Sequence, residues 1–91
     1  MESVQLKYNS NELLNKYIDA INTSNDMWEL VGNLNELCEY IESHEDDFTD
    51  GVQDTLIKCG FNFSYNGLRA LGIEPADGEM EWYRVIEEED E

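Results

Sequence analysis

Residues 26–43 read DMWELVGNLNELCEYIES, and the periodicity of this stretch decides how the chain folds. At 100° per residue, Met27, Leu30, Val31, Leu34, Leu37, Cys38 and Ile41 lie within an arc of about 120°. Apolar residues recurring at that spacing predict a helix, from about Asp26 to Ser43, with one face in a core. The opposite arc carries Glu29, Glu36, Glu39 and Glu42, with Trp28 and Tyr40 beside them. Gly32 on the polar side costs roughly 1 kcal/mol of helix propensity, which packing of the apolar stripe outweighs. Ser24 or Asn25, in the polar break NTSND, is the expected N-cap.

Upstream, Ser10 is placed to cap a helix running to about Asn22. Leu13, Leu14, Tyr17, Ile18 and Ile21 share one face of it, and Glu12, Asn15, Lys16 and Asp19 the other. Residues 2–8, ESVQLKY, alternate polar positions with Val4, Leu6 and Tyr8, the period of a half-buried strand. Downstream, SHEDDFTDG is an acidic connector, after which Thr49 or Asp50 starts a third helix to about Lys58 that buries Val52, Leu56 and Cys59. CGFNFSYNG admits both strand and loop readings. Ser64 caps a short helix through Leu71, with Gly72 as its C′ glycine. Pro75 and Asp77-Gly78 make EPADGE a turn, and EMEWYRVI, residues 79–86, reads as a closing strand. The expected class is α+β, with three to four helices packed on a small antiparallel sheet formed by the N- and C-terminal strands. Residues 1–86 form one compact domain, and 87–91, EEEDE, an acidic tail.

The 91 residues hold 22 Asp and Glu against 5 Lys and Arg, a net charge of −17. Lys7, Lys16, Lys58, Arg69 and Arg84 stand singly and form no basic patch, which argues against direct binding to nucleic acid or to an anionic membrane and in favour of a basic partner. No apolar run approaches the ~18 residues of a membrane span. The first residues have neither the basic start nor the apolar run of a signal peptide. Cys38 and Cys59 are therefore expected as free thiols, in a cytoplasmic protein.

Metal and catalytic chemistry find little support. With Gly51 at position 6 of a calcium loop, Asp46 and Asp50 fall at positions 1 and 5, but Phe48 takes position 3 and Ile57 the place of the closing Glu. The register around Gly78 fails as well, because Arg84 closes it. Two Cys and the single His44, without CxxC or HxxxH spacing, do not make a zinc site. Cys38 reads as a small buried hydrophobe and His44 as a solvated residue. There is no GxSxG and no Gly-rich phosphate loop. Where acids are so abundant, a chance pair of carboxylates carries no information. The expectation is a non-enzyme with no cofactor and no metal.

The acidity itself is the remaining signal. A net charge of magnitude ~2–8 suffices for the solubility of a small domain, whereas −17 adds self-repulsion that the core must offset. Seventeen charges match roughly 29 Å of duplex DNA, which carries one charge per ~1.7 Å. A domain of this length has a radius of gyration near ~12 Å, so one subunit presents the charge of a short duplex segment and a homodimer twice that.

In length, extreme acidity, helices studded with Asp and Glu, and the terminal EEEDE, the chain resembles the small acidic DNA-mimic, anti-restriction proteins of phages. That resemblance implies a stoichiometric inhibitor seated on the DNA site of a host restriction, CRISPR or nucleoid protein. The residues expected to carry it are Glu29, Glu36, Glu39 and Glu42, then Glu45, Asp46, Asp47 and Asp50, and last Glu87, Glu88 and Glu89 with the rest of the tail. The rival reading is an acidic adaptor or antitoxin anchored on a basic partner through Trp28, Tyr40 or Trp82, with the acids as rim.

Overall fold

The computed structural model describes residues 5–8, 11–48, 51–61, 65–78 and 81–86, except the side chains of 65 and 66. Helix α1 spans Glu12–Asn22, α2 Met27–Ser43, α3 Gly51–Lys58 and α4 Tyr65–Ala70; strands β1 (Ile73–Pro75) and β2 (Tyr83–Val85) pair antiparallel. The α+β class expected from the sequence is the one observed.

Both long helices start at side-chain caps, each one residue later than expected. Asn11 Oδ1 accepts from the Leu14 N–H at 3.0 Å. Asp26 Oδ1 accepts from the Glu29 N–H at 2.8 Å, and Glu29 reaches back to accept from the Asn25 N–H at 3.2 Å. The first bond satisfies a donor that the first helical turn leaves orphaned, and the second ties the residue before the cap to that turn. Helix α3 ends in a Schellman motif: the Gly60 N–H donates to Ile57 O at 2.8 Å and the Phe61 N–H to Leu56 O at 3.0 Å, with Gly60 at φ +98°. Phe61 and Leu56, joined by that bond, are both buried.

The core collects Leu14, Ile18 and Ile21 of α1 and Leu30, Val31, Leu34, Leu37, Cys38 and Ile41 of α2, together with Leu6, Leu56, Cys59, Phe61, Leu68, Ile73 and Tyr83. The apolar stripe of α2 is buried as its periodicity predicts, with Met27 half-buried at its edge. The stripe of α1 is narrower than expected. Leu13 is 53% exposed and Tyr17 half-buried, because both lie on the flank of the arc centred on Leu14, Ile18 and Ile21.

The pairing of the sheet corrects the sequence reading. The C-terminal strand is present, but its partner is Ile73–Pro75 and not the N-terminal segment, in the register Ile73↔Val85, Glu74↔Arg84 and Pro75↔Tyr83. Residues 5–8 form no strand. Their backbone is bound by a side chain instead: Asn22 accepts from the Leu6 N–H at 2.6 Å and donates to Leu6 O at 2.8 Å, while the Lys7 N–H donates to Cys59 O at 2.6 Å. One amide side chain offers the same donor and acceptor as a neighbouring strand. Leu6 is buried by this docking, whereas Tyr8, expected on the same face, is 58% exposed, and Val4 lies outside the described residues. The segment CGFNFSYNG falls partly outside the described residues, at 62–64, and from Tyr65 onward it is helical.

Candidate functional site

The roll of α2 about its axis decides which of its acids face outward, and two asparagines set it. On one side Asn33 Nδ2 donates to Ala20 O and to Ser24 Oγ, both at 3.0 Å, tying α2 to the end of α1. On the other, Asn35 Oδ1 accepts from the Trp82 N–H at 3.0 Å and the Tyr83 N–H at 2.8 Å, while its Nδ2 donates to Tyr83 O at 3.0 Å. The helix is thus held between α1 and β2 with its stripe inward.

Between these clamps lies the exposed arc, with Glu29, Glu36, Glu39 and Glu42 all solvent-facing as expected. Glu29 is partly engaged in capping, so Glu36, Glu39 and Glu42 form the free part of the set. They rise ~4.5 Å per step and turn about −60° each time, crossing the arc diagonally from the α1 side to the β2 side. A single 3-10 turn, Glu45–Asp47, continues the acids past the helix end, and all three are exposed. These acids gather where the helix macrodipole is already negative, and the last turn of α2 holds no basic residue. Glu42, in that last turn, is placed unfavourably to the dipole.

Both arginines of the chain pair away from this face. Arg84 Nη2 pairs with Glu74 Oε1 at 2.7 Å and Arg69 Nη1 with Glu74 Oε2 at 3.5 Å, both on the sheet side. Among the described residues, no ion pair reaches Glu36, Glu39, Glu42, Glu45, Asp46 or Asp47. Asp50, Glu87, Glu88 and Glu89 lie outside the described residues.

The two aromatics expected on this face separate. Trp28, 64% exposed, stands on the β2 flank of the arc near the start of α2. Tyr40 is half-buried on the α1 flank, twelve residues further along. There it forms part of an aromatic row that sequence reading missed. Its ring lies 5.0 Å from Tyr17 at a 32° tilt, stacks on His44 at 4.3 Å, and meets Phe48 edge-on at 6.1 Å. His44 is exposed, as expected, but not idle: its Nδ1 donates to Tyr40 O at 2.9 Å, closing a carbonyl at the end of α2. Tyr17, Glu36, Glu39, Tyr40, Ser43 and His44 line an open groove of about 560 Å³ between α1 and α2. The position of Tyr17 on the flank of the α1 stripe was its only signal in sequence.

Trp82 is half-buried against the core, and with Glu42, Pro75, Ala76, Gly78 and Glu81 it lines a second, smaller depression of about 310 Å³. Cys38 and Cys59 are both buried and form no disulfide. Burial, and secondarily the charge of Glu42, pushes the Cys38 thiol up to about 12, so it is no nucleophile at neutral pH. Among the described residues, no group of three or more His, Cys, Asp or Glu is placed to hold a metal ion, and no helix is long and apolar enough to cross a membrane.

Comparison of the chain with protein-family models, characterised proteins and solved structures returned no match.

Proposed function

We propose that the protein is a non-enzymatic inhibitor that occupies the DNA-binding surface of a basic DNA-binding protein, its carboxylates standing in for phosphates. The observation that carries this reading is the exposed run Glu36, Glu39 and Glu42 on α2 and Glu45–Asp47 on the 3-10 turn that follows, without an ion pair among the described residues, while both arginines pair with Glu74. The longest dimension of the protein, 46 Å, corresponds to about 13 base pairs of duplex axis. Its −17 charge over that length is one per ~2.7 Å, against one per ~1.7 Å in DNA. The domain is longer than its composition suggested and its charge correspondingly sparser, so a cluster at one end of α2 supports mimicry better than the average density does. On this reading the protein works in the cytoplasm, where its target meets DNA.

The experiment is capture of binding proteins from bacterial lysate on the tagged protein, with parallel elution by duplex DNA and by moderate salt. Release of a DNA-binding protein by duplex is the expected result. Replacing Glu36, Glu39 and Glu42 together with Gln should weaken that capture by well over tenfold at ~0.15 M salt, because each acid lost removes one counterion-releasing contact. A partner that resists both eluents, or binds the triple variant unchanged, overturns the mimic reading.

The exposure of Trp28 favours a second reading, an acidic adaptor whose binding is anchored on an aromatic centre. Trp28→Ala separates the two. It abolishes binding of an adaptor and leaves a DNA-displaceable complex largely intact.

A further inference from the structure

We propose that the groove between α1 and α2 is a receptor for a guanidinium group, an arginine side chain of the basic partner, with Tyr17 and Tyr40 as its aromatic wall and Glu36 and Glu39 as its carboxylates. The inference rests on the reading above for the source of the arginine, but the site itself is argued from its own chemistry. Tyr17 and Tyr40, their ring centroids 5.0 Å apart, both line the groove, and cations are attracted to aromatic rings within about 6 Å of the ring centre. Glu36 and Glu39 flank the same groove as acceptors with no hydrogen-bond or ion-pair partner among the described residues. None of the five cations of the chain lines it.

The rest of the molecule supplies the contrast. Where an arginine of this chain lies near a carboxylate, the two pair: Glu74 takes Arg84 through both Nε, at 2.8 Å, and Nη2, at 2.7 Å, and takes Arg69 as well. The groove carries the complementary half of such a pairing, left open. Guanidinium fits better than ammonium because it is planar, stacks on aromatic rings and delivers several N–H donors in one plane to carboxylates. His44 stacks on Tyr40 at 4.3 Å and closes the C-terminal end of the groove.

The test is a titration of the isotope-labelled full chain, followed by amide NMR, with N-acetyl-arginine amide. Titrations with N-acetyl-lysine amide and with tetramethylammonium run in parallel at equal ionic strength. Saturable shifts at Tyr17, Glu36, Glu39, Tyr40, Ser43 and His44 are expected with the arginine compound at millimolar concentration, and at least fivefold weaker binding with the other two. Glu36→Gln combined with Glu39→Gln should weaken arginine binding tenfold or more. Glu12→Gln combined with Asp54→Asn, exposed acids outside the groove, should leave it unchanged. Tyr17→Leu should erase the preference for arginine over lysine, its spectrum elsewhere certifying the fold. Equal response to all three cations, or shifts spread alike over Glu12, Asp54 and Glu81, overturns the proposal. The two readings fail separately. A partner released by DNA from a protein whose groove ignores arginine leaves mimicry standing, whereas arginine binding without a DNA-displaced partner keeps the site and removes the mimic.

Discussion

Asn35 joins the helix that carries the acidic face to the sheet, and its replacement by Ala tests that architecture. The side chain makes three hydrogen bonds, to the Trp82 N–H, the Tyr83 N–H and Tyr83 O, all within 3.0 Å and spanning 47 to 48 residues of sequence. Each contributes a net ~0.5–1.5 kcal/mol, and a backbone group left without a partner costs more than an exposed one. Asn35→Ala should therefore cost about 2–4 kcal/mol. For 91 residues at ~0.05–0.15 kcal/mol each, total stability is about 5–14 kcal/mol, so the loss is a large fraction of the whole. Urea unfolding followed by far-UV circular dichroism gives the free energy, and tryptophan fluorescence reports Trp82 beside the lost bonds. Thermal unfolding should shift down by roughly 10–20 °C. The matched comparison is Asn33→Ala, which removes two hydrogen bonds whose acceptors stay joined by the Ser24 Oγ to Ala20 O bond, and should cost about 1–2 kcal/mol. A cost for Asn35→Ala below about 0.5 kcal/mol, or equal to that of Asn33→Ala, would refute the claim that this amide fixes the roll of α2.

Two further outcomes follow from backbone geometry and from burial. Gly72 sits at φ +78° where a Cβ would come within 3.0 Å of Met27 Cε, so Gly72→Ala should destabilise by ~1–2 kcal/mol. Gly32, inside α2 with open space around it, should show the opposite sign on replacement by Ala, a gain of ~0.5–1 kcal/mol in the same urea assay. The Cys38 thiol, ordinarily near 9.0, is pushed up to about 12 by burial and by Glu42, and burial raises the Tyr83 phenol as well. Both groups are neutral when protonated, so the unfolded chain releases their protons first. The stability that Cys38 contributes is whole below pH 9.0 and is lost as pH rises toward about 12. Cys38 alone should contribute a slope of ~1.4 kcal/mol per pH unit there, absent in Cys38→Ala; equal slopes in urea titrations of the two proteins would show that the thiol is not held neutral by the fold.

The helices and the acidity were legible in the sequence because both are local or additive. A stripe at 3.6-residue spacing needs no knowledge of its partner to be recognised, and Leu30, Val31, Leu34, Leu37, Cys38 and Ile41 are buried as that spacing requires. Caps and Schellman glycines likewise act over a few residues, so helix ends could be placed to within one or two positions. The sheet was different. Ile73–Pro75 is three residues long, too short to show an alternation, and its selection over Leu6 as partner of Tyr83–Val85 is a long-range outcome. Leu6 had the period of a strand, yet the Asn22 amide took up its backbone hydrogen bonds, a substitution that no local pattern announces.

The same division holds for the site. That Glu36, Glu39 and Glu42 face solvent was set by their spacing along α2. That they have no ion pair among the described residues depended on where α4 carried Arg69 and β2 carried Arg84, both to Glu74. Asn33 and Asn35 look like ordinary polar positions of a helix, and only the approach of α1 and β2 to within hydrogen-bond distance turned them into clamps. Tyr17 and Tyr40 are 23 residues apart in sequence and belong to the flanks of two separate stripes. Periodicity assigns each residue to a face of its own helix, but the groove they share exists because α1 and α2 pack together at one particular roll, which tertiary contacts alone determine.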